Sequence, residues 1–265
     1  MAEGNQPLFT PFNRLTHCRH GVMLYNINDT HIGQSLATYG EWCELEVEIF
    51  AKILRPGDVT IDVGANVGAH TVAMARLVEP RGTVIAFEPQ RVVFQSLCAN
   101  VANNSLPNVF CYQAAVGERA DVMVVPPLDP NTRQNFGAFV ISGYDHGEPV
   151  GVTRLDDLPL RACRLIKIDV EGMELAVLRG AEALIRNCSP ILYVENNRPE
   201  HSEELIRFIR QLGFDLYWHE PPLFNPDNFL KHPKDIFDGE RAQNMVCGSQ
   251  DSGLAIEGLA KVQGA

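Results

Sequence analysis

From residue 44 to residue 218 the chain alternates short apolar, β-branched runs with longer stretches whose apolar positions recur at helical spacing. The runs 59–63, 83–87, 109–116, 165–170, 191–194 and 214–218 have the length and composition of buried strands, and 244–247 predicts a seventh. Helices are predicted over 67–78, 91–103, 174–179 with continuation to 186, and 203–212. Over 91–103, Val93, Phe94, Leu97 and Val101 make the apolar stripe. A helix before the first strand is predicted over 44–54, where Leu45, Ile49 and Ile53 form one line and Val47, Phe50 and Leu54 widen it. Arg55-Pro56-Gly57-Asp58 ends it in a turn. Strands alternating with helices predict βαβ units: an α/β chain with a mostly parallel sheet and helices on both faces.

Two stretches break this rhythm. Residues 117–163 lack a good helical pattern and hold 122–125, 138–141 and 150–153, which predict short antiparallel strands in a β-rich insertion. Residues 219–243 are aromatic, Pro-rich and loop-like, the character of a lid or binding loop. The expected organisation is an N-terminal extension over 1–56, a catalytic-type domain over 57–247 and a frayed tail over 248–265.

At 265 residues the chain can bury a large core without disulfides or a structural metal. Its formal net charge of −11 disfavours phosphate backbones, and no Lys/Arg run supplies a local exception, so nucleic acid is not an expected partner. The seven cysteines are odd in number and contain no Cys-x-x-Cys pair, as in a cytosolic protein with reduced thiols. His17, Cys18 and His20 crowd together but match no zinc spacing. With no leader pattern and no long apolar run, a cytoplasmic protein without a membrane partner is expected. Oligomeric state stays open, a homodimer included.

The most informative segment is Ile61-Asp62-Val63-Gly64-Ala65-Asn66-Val67-Gly68-Ala69-His70-Thr71. A strand ends in an acid, a Gly-rich turn follows, and a helix begins. In open α/β sheets ligands bind at such carboxyl ends. Gly64 and Gly68 allow close approach to the backbone. The middle glycine of a dinucleotide cradle is missing, and Asp62 would repel a pyrophosphate. A zwitterionic, phosphate-free nucleoside such as S-adenosylmethionine tolerates the acid better. The second strand ends in Phe87-Glu88-Pro89-Gln90, which places Glu88 where Rossmann-like folds set an acid on the ribose hydroxyls. Ala114 and Ala115, at the end of the third strand, could wall an adenine.

Lys167-Ile168-Asp169-Val170-Glu171-Gly172 brings Asp169 and Glu171 to the same edge, with Lys167 in the same parity. Glu195, followed by Asn196 and Asn197, joins that rim from the next strand. One of these carboxylates, or His70 at the helix start, could serve as general base. The same oxygens could take a divalent cation, which is not the favoured reading, and no metal ligands are assigned.

Taken together, Asp-Val-Gly-Ala-Asn-Val-Gly, Phe-Glu-Pro, Lys-Ile-Asp-Val-Glu-Gly-Met-Glu and Val-Leu-Arg-Gly-Ala (177–181) resemble the FkbM family of methyltransferases, from about Gly21 to Cys247. The resemblance implies a Rossmann-like class I methyltransferase fold, a seven-stranded sheet with an antiparallel last strand. It implies O-methylation of a hydroxyl on a small metabolite, sugar or polyketide. Asp62, Gly64, Asn66, Gly68 and Glu88 would contact S-adenosylmethionine, with Thr71, Gln90, Ala114, Ala115 and Asp169 completing the set. Tyr39 and Glu41 would close over the cofactor. Two other readings stay open: a non-catalytic S-adenosylmethionine-binding domain and an NAD-dependent oxidoreductase.

Overall fold

The computed structural model describes residues 11–138, 143–250 and 258–263. The chain opens with a hairpin, β1 (Asn13–Cys18) and β2 (Gly21–Asn26), then helices α1 (Ile32–Tyr39) and α2 (Glu44–Ile53). The alternating core begins with β3 (Val59–Val63), α3 (Ala69–Val78), β4 (Thr83–Phe87), α4 (Arg91–Asn103) and β5 (Val109–Tyr112). A separate small sheet follows, made of β6 (Ala115–Val116), β7 (Asp121–Val125) and β8 (Glu148–Thr153). The core resumes with β9 (Leu165–Ile168), α5 (Glu174–Arg179), α6 (Glu182–Cys188), β10 (Ile191–Glu195) and α7 (Pro199–Gln211). It closes with β11 (Phe214–His219), β12 (Asn244–Ser249) and β13 (Ala260–Lys261).

The main sheet runs in the order β13-β11-β12-β10-β9-β3-β4-β5. Strands β5, β4, β3, β9 and β10 are parallel, and β12 is antiparallel to both of its neighbours. This is the expected mostly parallel sheet with an antiparallel final strand, extended by the two-residue β13 along β11. The chain leaves β3 for β4 and β5 on one side and returns to β9 on the other. Strand order therefore reverses between β3 and β9, which opens a crevice at their carboxyl ends.

Each face of the sheet has its own core. Ile61, Ile166 and Leu192 pack with Val177, Leu178 and Ile209 from α5 and α7. On the opposite face Val84, Leu165, Tyr193 and Val246 pack with Phe50, Val72 and Val93 from α2, α3 and α4. Because side chains alternate along a strand, Asp62 and Lys167 fall on this second face. The register sets Lys167 directly between Asp62 and Tyr193. No helix among the described residues is long and apolar enough to cross a membrane, and all seven cysteines are unpaired.

Several expectations change at particular residues. The run 109–116 is two strands in two sheets, because the chain turns where the Ala114 amide donates to the Tyr112 carbonyl at 3.0 Å. The helix expected over 174–186 breaks at Gly180, where a β-carbon would sit 2.0 Å from the Gly117 carbonyl oxygen. Strand β9 stops at Ile168, just before Glu171 and Gly172 adopt positive φ. The tail is not wholly frayed, since β13 pairs with Tyr217 and Trp218. Most of the strand expected over 138–141 lies outside the described residues.

The N-terminal hairpin and α1 were not visible in the apolar pattern, and side chains from α4 hold the hairpin in place. Buried Asn100 accepts from the Leu24 amide at 2.5 Å and donates to the carbonyls of Leu24 and Val67 at 3.0 and 2.8 Å. Asn104 repeats the exchange with the amide and carbonyl of Val22. Two asparagines thus satisfy the outer edge of β2 as a neighbouring strand would. Replacing Asn100 with Ala should cost about 2–4 kcal/mol, because it strands buried peptide groups of the hairpin and the glycine turn. Denaturant unfolding measures the loss, and a change near zero would mean that water takes over these bonds.

Candidate active site

The turn after β3 is shaped by backbone that only certain residues tolerate. Gly64 has φ +80°, and a β-carbon there would lie 1.8 Å from the Asp169 carbonyl oxygen, so glycine lets the tips of β3 and β9 touch. The amides of Gly64 and Ala65 donate to the Phe87 carbonyl at 3.0 and 2.9 Å, which ties the turn to β4. Asn66, at φ +50°, accepts the Val67 amide on its own side chain.

Glu88, just past β4, is clamped between two loops. Its carboxylate accepts the Asn66 amide at 2.9 Å and the Gln90 amide at 2.8 Å. Burial pushes its carboxyl up to about 7, and the two amides only partly offset this. The side chain of Gln90 donates to the Pro126 carbonyl at 3.1 Å.

Behind the turn runs a buried charged row. Asp62 is fully buried and accepts the Thr71 hydroxyl at 2.6 Å, and its other oxygen lies 3.5 Å from the Lys167 ammonium. Lys167 donates to Asp169 at 3.1 Å. Burial opposes the lysine charge, but Asp169, Asp62 and Glu46 together hold the ammonium above its ordinary range.

At the rim, carboxylate oxygens of Asp169, Glu171 and Glu195 lie within 4.8 Å of one another. Arg198 pairs with Glu171 at 2.8 Å, while Glu195 Oε2 is shut from solvent and has no hydrogen-bond partner. Burial, then Asp169, Glu171 and Glu174, push the Glu195 carboxyl well up. Burial and Asp169 raise Glu171 as well, against the pull of Arg198. The turn therefore does not splay Asp169 and Glu171, and it gathers them with Glu195.

These elements enclose a cavity of about 350 Å³ at the carboxyl edge of the sheet. Of the residues expected at the site, Gly64, Asn66, His70, Glu88, Gln90, Asp169, Glu171 and Glu195 line it. Asp62, Gly68 and Thr71 stand one layer behind and support the wall. Ala114 and Ala115 do not reach the cavity. Ala115 is buried with Val125 and Val150 of the small sheet, because the chain has already turned away from β5.

Tyr39 and Glu41 also lie outside the lining, and their side chains hold the 223–242 loop. The Tyr39 hydroxyl accepts the Ile236 amide at 2.7 Å and donates to the Lys234 carbonyl at 3.0 Å. Glu41 accepts from the Asn225 side chain, the Phe229 amide and Arg19, each at 2.8 Å. They latch the loop whose Leu223 and residues 240–243 form one cavity wall.

Lys167, placed by parity beside Asp169 and Glu171, lines the cavity, and so do Glu46, Trp42 and the Asn135-Phe136-Gly137 turn, which the sequence motifs did not single out. Glu46 did leave a signal: it shares a helix face with Ile49, Phe50 and Ile53, where a charge is out of place. Glu46 is buried, accepts the Asn244 amide group at 3.0 Å, and lies 3.6 Å from the unpartnered Nε2 of buried His70. Burial pushes its carboxyl up to about 8, and burial, then Lys167, drive the His70 imidazole well down.

A doubly wound sheet with a glycine turn after its first core strand, a clamped acid after the second, and acids after the next two define a Rossmann-like methyltransferase fold. A profile for the Methyltransferase FkbM domain matches residues 62–216, and the chain belongs to the FkbM methyltransferase family. It is 29% identical over 204 residues to the 31-O-demethyl-FK506 methyltransferase FkbM of Streptomyces tacrolimicus, spanning 64% of this chain and 78% of that one. It is also 29% identical over 144 residues to Methyltransferase 1 of Beauveria bassiana, spanning 46% of this chain and 57% of that one. Among solved structures, a methyltransferase FkbM from Methylobacillus flagellatus KT is 17% identical with a TM-score of 0.49, spanning 76% of this chain and 50% of that one.

The Glu46 carboxyl gives a pH signature. Its value rises from the ordinary 4.5 in the unfolded chain to about 8 in the fold. The folded state therefore gains from this proton below about pH 4.5, and the gain drains away as pH rises through about 8. Glu46→Gln should leave the melting temperature nearly unchanged at about pH 5 and raise it by several degrees at about pH 9. An equal shift at both pH values would show that the carboxyl does not titrate abnormally.

Proposed function

We propose that this chain transfers a methyl group from S-adenosylmethionine to a hydroxyl of a small metabolite, sugar or polyketide-like acceptor. The observation that carries the reading is the acid-rich lining of the cavity at the strand-order reversal. Glu46, Glu88, Asp169, Glu171, Glu195 and Glu240 line it, against the two cations Lys167 and Arg241. Such a wall suits a cationic, phosphate-free nucleoside and opposes a pyrophosphate, which counts against the nicotinamide reading.

The residues present fit that cofactor. Glu88 would accept the ribose hydroxyls, since a carboxylate can take two hydrogen bonds from a vicinal diol and the Asn66 and Gln90 amides already fix its orientation. The Gly64–Asn66 backbone would lie against the nucleoside without β-carbon interference at Gly64. Bound there, S-adenosylmethionine supplies an electrophilic methyl group on a positively charged sulfur.

The chain's own contribution is positioning and proton handling. Lys167 holds Asp169 at the rim, and Arg198 holds Glu171. The Asp169/Glu171/Glu195 cluster receives the proton that an acceptor hydroxyl loses as its oxygen is methylated. Three close carboxylates cannot all stay ionised cheaply, and burial with its neighbours makes Glu171 and Glu195 hold a proton more readily than ordinary carboxylates. The similarity to a 31-O-demethyl-FK506 methyltransferase of Streptomyces tacrolimicus supports oxygen as the acceptor atom. Trp42, Phe136 and Leu223 give the cavity apolar surface for the body of an acceptor.

Glu88→Ala should weaken S-adenosylhomocysteine binding by about tenfold or more in calorimetry, the worth of charge-assisted hydrogen bonds; unchanged affinity would remove the ribose role. Asp169→Asn should lower turnover by about a hundredfold with labelled methyl donor and a hydroxylated acceptor, with S-adenosylhomocysteine affinity within a few-fold of wild type. A turnover close to wild type would take Asp169 out of the chemistry.

A further inference from the structure

Glu46 belongs to none of the sequence motifs, yet it is among the most buried carboxyls in the cavity wall, and its surroundings are unusual. Cys43, which begins α2, takes the left-handed conformation at φ 44°. Its carbonyl accepts the Glu46 amide at 2.9 Å and also engages the imidazole of His70. Nε2 of buried His70 has no hydrogen-bond partner. It lies 3.6 Å from Glu46 Oε2, while Asn244 occupies Oε1. A neutral carboxylic acid with its proton toward Nε2 satisfies this arrangement.

Of the other cavity acids only Glu195, out at the rim, has a buried oxygen without a hydrogen-bond partner among the described residues, and three of the rest are firmly held. Each oxygen of Glu88 is bound by an amide, Asp169 pairs with Lys167, and Glu171 pairs with Arg198. Around Glu46 stand Lys167 and Asp169 from the β9 tip, Tyr193 from β10, Asn244 from β12 and Cys43. Around His70 stand Lys167 and His20. Lys167 already has Asp62 and Asp169 as close counterions, so Glu46 is not needed for that purpose.

We propose that Glu46, backed by His70, is the proton-linked countercharge for the positive part of the cofactor, protonated while the cavity lacks a cation and ionised once one enters. This rests on the cofactor reading above. Entry of the cation expels the Glu46 proton to solvent, so charge in the buried site is conserved. When the methyl leaves, the sulfur becomes neutral. If the sulfur is the group Glu46 senses, its carboxylate then takes a proton back and no longer favours the spent cofactor. Glu46 would in that case discriminate donor from product.

The test is calorimetry of wild type, Glu46→Gln and Glu195→Gln at about pH 7, each in two buffers of different ionisation enthalpy, with S-adenosylmethionine and S-adenosylhomocysteine as ligands. Glu46→Gln should release about one proton fewer than wild type on binding S-adenosylmethionine. Absence of that drop with S-adenosylhomocysteine assigns the sulfonium as the cation, and the same drop assigns the shared ammonium. An unchanged count in Glu46→Gln, or its loss in Glu195→Gln instead, overturns the proposal. Wild type alone gives a second check: its affinity for S-adenosylmethionine should tighten by up to about tenfold per pH unit between about pH 6 and 8, and a flat profile overturns the proposal. If wild type binds neither nucleoside, the cofactor reading itself fails.

Discussion

A lysine ammonium buried in the middle of the sheet sets the terms for everything around it. Lys167 is only 2% exposed, in a position where an unpaired charge would be prohibitive. The register of β3 and β9 places Asp62 beside it, and the tip of β9 returns Asp169 to it. Removing one partner of such a buried set typically costs about 3–5 kcal/mol, because the remaining charge is stranded. Asp62 is therefore first a structural counterion, also held by Thr71, and it shapes the site from behind the wall. Asp169 does two jobs, neutralising the lysine and showing a face to the cavity.

The same constraint explains why the remaining carboxyls are available for function. Lys167 and Arg198 are each claimed by a rim acid, so Glu46 and Glu195 remain without a close ion pair to a lysine or arginine. Burial then keeps both protonated more readily than usual. The result is a cavity whose charge can adjust to its occupant. The glycine turn makes this compact: Gly64 against the Asp169 carbonyl draws the first and fourth core strand tips together, and the Asn66 amide draws the second strand's acid into the same wall.

Much of this frame was legible in the sequence, because buried parallel strands read as apolar runs and their tips read as acids and glycines. The runs 59–63, 83–87 and 91–103 match their elements to the residue. Gly64, Asn66, Glu88, Asp169, Glu171 and Glu195 all reach the cavity. What was not legible depends on contacts distant in sequence. The hairpin is held by Asn100 and Asn104, whose reach across some eighty residues leaves no local pattern. Tyr39 and Glu41 sit close to the site in sequence but spend their polar atoms on a loop nearly two hundred residues later. Ala114 and Ala115 were expected in a strand that bends away. Glu46 was visible only as a charge out of place in an apolar helix face, while Lys167 was placed by its parity with Asp169, and the fold turns both toward the cavity.

The central claim is that acids at successive strand tips hold one cationic nucleoside methyl donor. A crystal structure of the chain grown with S-adenosylmethionine or a non-reactive sulfonium analogue tests it most directly. The account requires the ribose hydroxyls on Glu88 and the positive end of the molecule within the wall formed by Glu46 and Asp169. Density for the nucleoside at any other place, or a cavity that stays empty at saturating ligand, would contradict it.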